Sequence, residues 1–164
     1  MPIDPTSTQA VVSAIRDAIT PRTGVIVVSA GNYPYGTVDD VQAVSDLAVA
    51  NDIPLHVDGC LGGFILAWAE ELGIPVPHFD FRVPGVTSMS ADTHKFGYGP
   101  KGLSVVLYRD KSYRNYQYFM DPPWPGGTYM SPGLLGSRSG GIIAATWAAM
   151  RHLGKAGYRE RARK

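Results

Sequence analysis

The sequence has a single cysteine, Cys60, and therefore cannot form a disulfide bond within the chain, which fits a reducing compartment. It has no excess of charge of either sign, because its formal net charge is +1, so neither nucleic acid nor an anionic membrane is expected as a partner. No apolar run approaches the ~18 residues of a membrane-spanning helix. The start, Met1 to Asp4, lacks the basic and apolar parts of a secretion signal. We therefore expect a cytoplasmic protein, with no membrane segment in this chain and no cluster of metal ligands.

What is present is typical of a globular domain. Hydrophobic residues make up 45% of the 164 residues and charged residues 18%, which is enough apolar material for one domain with a core. Helical and strand patterns alternate along the first half of the chain. This alternation predicts an α/β fold with a mostly parallel sheet flanked by helices.

The predicted elements follow from capping residues, apolar periodicity and breakers. In the first half these are a helix from Thr6 or Ser7 to about Ile19, a fully buried strand at Val25–Val28, a helix opened by Asp39 and Asp40, and a strand at Leu55–Val57. In the second half they are a short helix from Phe64 to Leu72, two buried strands at Val86–Met89 and Leu103–Tyr108, a long loop from Asp121 to Gly133, and a last helix from Ser139 or Gly140 through His152.

Three polar residues follow three of these strands directly. Asn32, Asp58 and Lys95 each come just after a predicted strand end. Ligands of parallel α/β sheets bind beyond the carboxyl ends of the strands. We therefore expect these residues on one rim of the sheet.

Lys95 and Asp58 together indicate a particular chemistry. Lysine is the side chain that binds carbonyl compounds covalently, pyridoxal phosphate among them. A carboxylate earlier in the chain, at a strand end, is what keeps the pyridine nitrogen of that cofactor protonated. The alternatives are a solvated lysine on a surface turn and an aspartate that only shapes a turn. The pair in this order favours a pyridoxal phosphate site.

Four stretches carry a more specific resemblance: HVDGCLGGF, FDFRVPGVTSMSADTHKFGYGPKG, YRNYQYF and GSRSGG. They resemble the sphingosine-1-phosphate lyases, pyridoxal-phosphate-dependent enzymes of fold type I. The group II amino-acid decarboxylases are similar in a looser way. The likeness runs from about Ile3 to the C-terminus. It implies that residues 1–164 form part of the large cofactor-binding domain, without the upstream phosphate-binding part and the C-terminal small domain.

The resemblance also implies roles for single residues. Lys95 would bind the cofactor covalently, Asp58 would contact its ring nitrogen, and Cys60 would pack against a ring face. His94 resembles the residue that contacts the cofactor phosphate, and its alternative is a core histidine bonded to a backbone carbonyl. Lys101 resembles a second catalytic lysine that would act on the substrate hydroxyl or phosphate; from sequence alone it is a lysine on a surface loop.

Further candidates come from the loops. Gly136, Ser137 and Arg138 resemble the segment that reaches the cofactor phosphate of the partner subunit in a homodimer, and Tyr129 would line the same site. His56 shares a strand face with Asp58 by the two-residue period and either orients that carboxylate or is a structural histidine. Ser29 and Asn32 are minor candidates, because they depart from the residues common in the family.

The resemblance implies cleavage of the Cα–Cβ bond of a phosphorylated long-chain amino alcohol, a lipid-like amine phosphate, into a fatty aldehyde and phosphoethanolamine. Two alternatives stay open: a decarboxylase of amino acids with the same cofactor, and an inactive fragment that acts at most as a binding module. We expect the 164-residue chain alone to be inactive, to be poorly stable and to expose apolar surface.

Overall fold

The computed structural model describes all residues 1–164 and contains five helices and six strands. The helices are α1 (Val12–Ala18), α2 (Val41–Ala50), α3 (Gly62–Glu71), α4 (Lys111–Asn115) and α5 (Gly140–Ala162). The strands are β1 (Ile26–Ser29), β2 (Leu55–Asp58), β3 (Val86–Ala91), β4 (Val105–Tyr108), β5 (Phe119–Asp121) and β6 (Tyr129–Ser131). The order of helices and strands through β3 is the one predicted from the sequence.

The main sheet has four strands in the order β1-β2-β3-β4. The first three are parallel, and β4 pairs with β3 in the antiparallel direction. Ser29, Asp58 and Ser90 lie next to one another in the register of the three parallel strands. The α/β class with a mostly parallel sheet is therefore confirmed, and the carboxyl ends of β1, β2 and β3 form one rim.

The core lies on one face of this sheet. Ile26, Val28, Leu55 and Val57 are buried and pack with apolar residues of α1 and α2, together with Phe79 and Val83. Because side chains alternate between the faces of a strand, Val27, His56 and Asp58 point to the opposite face. Val27 is 58% exposed there. The prediction of a fully buried β1 was therefore wrong, since within these 164 residues only one face of that strand is covered.

The first helix begins later than predicted. The backbone N–H groups of Thr6 and Ser7 donate to Oδ1 of Asp4, at 2.9 and 2.7 Å, and close a turn. Ile3 then forms an isolated bridge with Ala10, and α1 starts at Val12. The Thr6 and Ser7 hydroxyls therefore cap no helix, because both residues belong to a turn that is closed by the Asp4 carboxylate.

The second helix begins where it was predicted. Asp40 precedes α2 and accepts a hydrogen bond from the backbone N–H of Ala43 at 3.0 Å, as an N-cap residue does. Asp39 has a different role from the one predicted, because it is buried and accepts from the backbone N–H groups of Ala10 and Ser29. It thereby joins the N-terminal segment to the end of β1.

Two predictions for the second half of the chain need correction. The residues of β4 are mostly exposed, so the lysine loop does not connect two buried strands. The stretch from Asp121 to Gly133 is not a single loop, because β5 and β6 pair as a hairpin with Phe119 opposite Ser131. The prolines and glycines that indicated a loop are concentrated in its turn, which leaves the flanking residues free to pair.

The last helix is interrupted rather than ended near His152. Gly154 has φ 55° and ψ −175°, which is not helical, and a second helical segment continues to Ala162. Glycine accepts a positive φ without the steric cost that a side chain would bring. The predicted end at His152 therefore coincides with a break in α5, beyond which the chain runs on as a helix.

Apolar side chains remain exposed on several elements. They include Leu134 at 101% and Leu135 at 76%, as well as Trp147 at 65% on α5. Others lie on the β5–β6 hairpin and on β4: Phe119, Met120, Met130, Val105, Val106 and Leu107. This agrees with the expectation that the chain alone exposes apolar surface. No helix combines the length and apolar character needed to cross a bilayer.

Close packing at the rim requires glycine at Gly62. This residue begins α3, and its backbone N–H donates to the carbonyl of Ala30 at 3.1 Å. A Cβ at this position would overlap the carbonyl oxygen and carbon of Ala30, which is backbone and cannot move aside. The residue type at position 62 therefore controls how closely α3 approaches the end of β1.

We expect Gly62→Ala to lower the free energy of unfolding by about 2 kcal/mol, the usual cost of forcing extra atoms into a packed interior. Urea unfolding followed by circular dichroism measures this. Gly24→Ala is the matched control, because a Cβ there meets no atom within 4 Å. Equal stability of the two variants would contradict this account of the rim.

Candidate active site

Asp58 ends β2, and its carboxylate is fixed by two donors. The hydroxyl of Ser90, on the neighbouring strand, donates to Oδ1 at 3.0 Å, and the backbone N–H of Cys60 donates to the same atom at 3.0 Å. Burial raises the pKa of Asp58, but the hydrogen bonds from Cys60 and Ser90 outweigh it, so that pKa lies below its ordinary value. Asp58 therefore carries a fixed negative charge at the rim.

His56 lies on the same strand face and makes a parallel cross-strand contact. Its Nδ1 is 2.8 Å from the hydroxyl oxygen of Ser88, its neighbour in register on β3. Burial lowers the pKa of His56, although the charge of Asp58 opposes this. No hydrogen bond joins His56 to Asp58. The geometry therefore favours a structural histidine over one that orients the carboxylate.

Lys95 lies in the turn that follows β3. Its Nζ is 2.9 Å from Oδ2 of Asp92, and the Lys95 side chain is 31% exposed. The hydrogen bond to Asp92 raises the pKa of Lys95 above its ordinary value, against the smaller effect of burial. The rim thus presents a primary amine that is partly accessible and paired with one carboxylate.

Cys60 connects the two halves of the site. Its backbone N–H donates to Oδ1 of Asp58 at 3.0 Å, and its carbonyl accepts from the backbone N–H of Asp92, the partner of Lys95, at 3.3 Å. Burial and the neighbouring Asp58 raise the pKa of Cys60, so the thiol stays protonated at neutral pH. A protonated thiol is a poor nucleophile, which favours the packing role expected for Cys60. Asp58 and Lys95, 37 positions apart in the sequence, are thus linked through the backbone of Cys60 and the side chain of Asp92.

His94 is hydrogen-bonded to the backbone just before β4. Its Nδ1 donates to the carbonyl oxygen of Leu103 at 2.7 Å, and its Nε2 is 3.6 Å from Oδ2 of Asp92. The backbone contact is the one foreseen for a structural histidine. The expected contact of His94 with the cofactor phosphate stays a prediction.

The last helix holds the lysine loop in place. Tyr158 is buried, its hydroxyl donates to the carbonyl of Gly97 at 2.7 Å, and its ring stacks on Trp68 at 5.5 Å between centroids. Arg161 lies over the ring of Tyr98, with its guanidinium carbon 4.7 Å from the centroid. The turn that carries Lys95 is therefore fixed from outside by residues more than sixty positions later in the chain.

Other predicted residues are not part of this cluster. Lys101 is exposed in the following turn and takes part in no ion pair. Gly136, Ser137 and Arg138 lie in the exposed segment before α5, and Tyr129 lies on β6 against Phe119 and Trp124. Their expected roles stay predictions.

The two minor candidates lie at the end of β1 and are bonded locally. The backbone N–H of Ser29 donates to Oδ2 of Asp39 at 2.8 Å, and Asn32 donates through Nδ2 to the hydroxyl oxygen of Thr37 at 2.7 Å. Oδ1 of Asn32 accepts from the backbone N–H of Tyr35 at 3.0 Å. Asn32 therefore shapes the loop after β1.

Asp92 and Ser90 are the functional candidates that the sequence did not single out. Asp92 pairs with Lys95, and its side chain is only 13% exposed. Burial raises the pKa of Asp92, but hydrogen bonds from Ser104 and Lys95 lower it below its ordinary value overall. The available signal was the spacing of Asp92 and Lys95, three positions apart in one turn, which allows the two side chains to meet.

Comparison with known proteins identifies relatives over almost the whole chain. Residues 4–164 match the family model described as the pyridoxal-dependent decarboxylase conserved domain. Sphingosine-1-phosphate lyase 1 of Rattus norvegicus is 54% identical over 150 residues, which is 91% of this chain and 26% of the relative. This chain therefore spans about a quarter of the length of that relative.

Two solved structures extend the comparison. The sphingosine-1-phosphate lyase of Burkholderia pseudomallei is 61% identical with a TM-score of 0.94, over 99% of this chain and 37% of that one. The glutamate decarboxylase of Lactobacillus brevis is 26% identical with a TM-score of 0.80, again over 99% of this chain and 37% of that one. Both sequence and backbone are therefore more similar to the lyase than to this decarboxylase.

Proposed function

This chain belongs to the pyridoxal-dependent decarboxylase family, and from that membership we propose that it is part of a pyridoxal-phosphate-dependent carbon–carbon lyase. The proposed substrate is a phosphorylated sphingoid base, and the proposed products are a fatty aldehyde and phosphoethanolamine. The observation that carries the proposal is the chain of contacts from Asp58 through Cys60 and Asp92 to Lys95. It occurs in a chain that is 54% and 61% identical to two sphingosine-1-phosphate lyases.

The residues at the rim fit the cofactor. A ring nitrogen that must stay protonated needs an anionic partner, and Asp58 is held anionic by its two donors. An aldehyde needs a primary amine, and Lys95 supplies one that is partly exposed. These two residues therefore fit the ring nitrogen and the aldehyde group of pyridoxal phosphate.

We assign each residue a separate task in the reaction. Lys95 binds the cofactor covalently, gives way to the amine of the substrate, and can then accept or return a proton through Nζ. Asp58 holds the charge opposite the ring nitrogen, with its Oδ1 oriented by Ser90 and Cys60. When bound, the cofactor supplies a conjugated ring that accepts the electron pair left at Cα when the Cα–Cβ bond breaks.

A lyase of this kind also needs a base for the hydroxyl proton of the substrate. Lys101 is our candidate, since it lies six positions after Lys95 on an exposed turn of the same loop. His94 is our candidate for the cofactor phosphate, through Nε2, because its Nδ1 is already engaged with Leu103. Gly136 and Ser137 are proposed to reach the phosphate site of a second subunit.

We further propose a homodimer that acts in the cytoplasm. The exposed residues Leu134, Leu135 and Trp147 flank the segment with Gly136 and Ser137 and are apolar, as residues at the centre of an interface between subunits are. Sedimentation velocity of the protein measures this assembly.

An amino-acid decarboxylase is the second candidate, favoured by the similarity to the glutamate decarboxylase of Lactobacillus brevis. The two functions differ in the bond that breaks at Cα and therefore in the product. The first releases an aldehyde, and the second releases carbon dioxide.

The decisive experiment uses the protein at the full length of its relatives, supplied with pyridoxal phosphate. It is incubated with a phosphorylated sphingoid base, and in parallel with glutamate and aspartate. We expect fatty aldehyde and phosphoethanolamine in equal amounts by mass spectrometry, and no carbon dioxide from the amino acids. Release of carbon dioxide without any aldehyde would contradict the lyase and support the decarboxylase.

A further inference from the structure

Lys95 has one carboxylate partner, and that partner is itself fixed. Oδ2 of Asp92 lies 2.9 Å from Nζ, and the Asp92 side chain is only 13% exposed. His94 Nε2 lies 3.6 Å from Oδ2 of Asp92, and the backbone N–H of Asp92 donates to the carbonyl of Cys60 at 3.3 Å. Asp92 therefore stays in place when Lys95 moves away, because these contacts do not depend on the lysine.

The other ionisable groups near the Lys95 amine form no ion pair with it. The Cys60 thiol is protonated, because burial and the nearby Asp58 raise its pKa, and Asp58 forms no ion pair with Lys95. His94 lies on the far side of Asp92, with Nε2 3.6 Å from Oδ2. Asp92 is thus the group that contributes a full negative charge directly at Nζ.

We propose that Asp92 is a positioning residue that holds the ammonium group of Lys95 whenever that amine is free, and thereby sets the pH range in which Lys95 can bind an aldehyde. The proposal rests on the proposed function of Lys95 as the cofactor-binding residue. It assigns a role to a residue that the cofactor itself does not need to touch.

The chemical consequence follows from the form of the amine that reacts. Only the neutral amine adds to an aldehyde, whereas an adjacent carboxylate favours the ammonium form. The pKa of Lys95 is raised by Asp92, so at any pH below that pKa the neutral fraction is smaller than it would be without the carboxylate. Removing the charge while keeping the shape should therefore make Lys95 react faster near neutral pH, and the difference should vanish at high pH.

The experiment uses the purified protein at the full length of its relatives. It is labelled with pyridoxal phosphate and borohydride at a series of pH values. The neutral amine adds to the aldehyde carbon, water leaves, and borohydride donates the hydride that makes the new C–N bond permanent. Peptide mass spectrometry then gives the initial labelling rate at each lysine. Lys101, exposed in the next turn, serves as the internal reference in every sample.

Asp92→Asn is isosteric and removes only the charge. We expect it to raise the labelling rate of Lys95 about fivefold at about pH 7.5, as for the loss of one partly exposed ion pair, with no difference at about pH 11. Labelling of Lys101 should not change. Asp92→Glu, which restores the carboxylate, should return the pH profile of Lys95 toward that of the wild type.

Equal Lys95 profiles in the wild type and in Asp92→Asn would overturn the proposal, and so would slower labelling of the variant at every pH. Label on Lys101 alone in the wild type would instead overturn the proposed function of Lys95, so the two failures are distinguishable. If Asp92→Asn does not fold, nuclear magnetic resonance of wild-type protein with ¹³C-labelled lysine decides. The Cε signal of Lys95 should then titrate above the ordinary lysine range, and a signal within that range would overturn the proposal.

Discussion

Lys95→Ala is expected to abolish aldehyde release in the protein at the full length of its relatives. The substitution removes the amine that is paired with Asp92 at the rim. Covalent attachment of the cofactor and proton transfer through Nζ are then lost together, and proton transfer by a positioned group alone contributes about 10²–10⁴-fold. We therefore expect a loss of at least about 10³-fold in kcat.

The measurement combines turnover of the phosphorylated sphingoid base with labelling by borohydride. In the wild type the pyridoxyl group should be found on Lys95, and in Lys95→Ala this label should disappear. Lys155→Ala is the matched control, since Lys155 is an exposed lysine just beyond Gly154 on α5. A label on Lys101 in the wild type, with Lys95 unmodified, would show that the wrong lysine was assigned.

Asp58→Asn is expected to slow cleavage by about 10³-fold while the fold is kept. The loss of one preorganised electrostatic contact at a reacting centre costs about 10²–10³-fold, and here a full charge is removed. Asparagine still offers an oxygen to the donors on Ser90 and Cys60, so the end of β2 should keep its structure. The effect should lie in kcat, because binding of the cofactor by Lys95 does not need the charge.

The pH dependence gives this prediction a second test. The pKa of Asp58 lies below its ordinary value, so the carboxylate is ionised at all pH values above the usual range of aspartate. The ratio of wild-type to Asp58→Asn rates should therefore be constant from about pH 6 to about pH 8. Asp17→Asn is the control, because Asp17 is an exposed residue of α1. Turnover of Asp58→Asn close to that of the wild type would mean that Asp58 only shapes a turn.

The sequence was sufficient for the order of elements through β3 and for the rim. Apolar runs of Val, Ile and Leu between helical patterns indicate parallel strands whichever side chains later cover them. The positions of Asp58 and Lys95 relative to those strands follow directly, because both residues come at strand ends. The contacts that link the two residues through Cys60 and Asp92 could not be predicted, since the sequence does not give distances.

The sequence could not predict features that depend on competition between partners or on what covers a surface. Asp4 and Asp39 are both acidic residues near a helix, but one closes a turn and the other is buried between Ala10 and Ser29. Val27 belongs to an apolar run that is typical of a buried strand, but it is exposed. The composition of a strand does not show whether other elements cover both of its faces. The sequence does not distinguish Asp92 from an ordinary loop residue, because its 2.9 Å distance to Lys95 depends on the folded turn.

The hydrogen bond from Tyr158 to Gly97 has a consequence for the order in which the protein is built. It joins residues 61 positions apart, and the ring that makes it lies after the break at Gly154. During synthesis, Lys95 leaves the ribosome long before Tyr158 does, because the chain emerges from its N-terminus. We therefore expect the parallel strands to form first and the lysine loop to take its final shape only when the last helical segment docks.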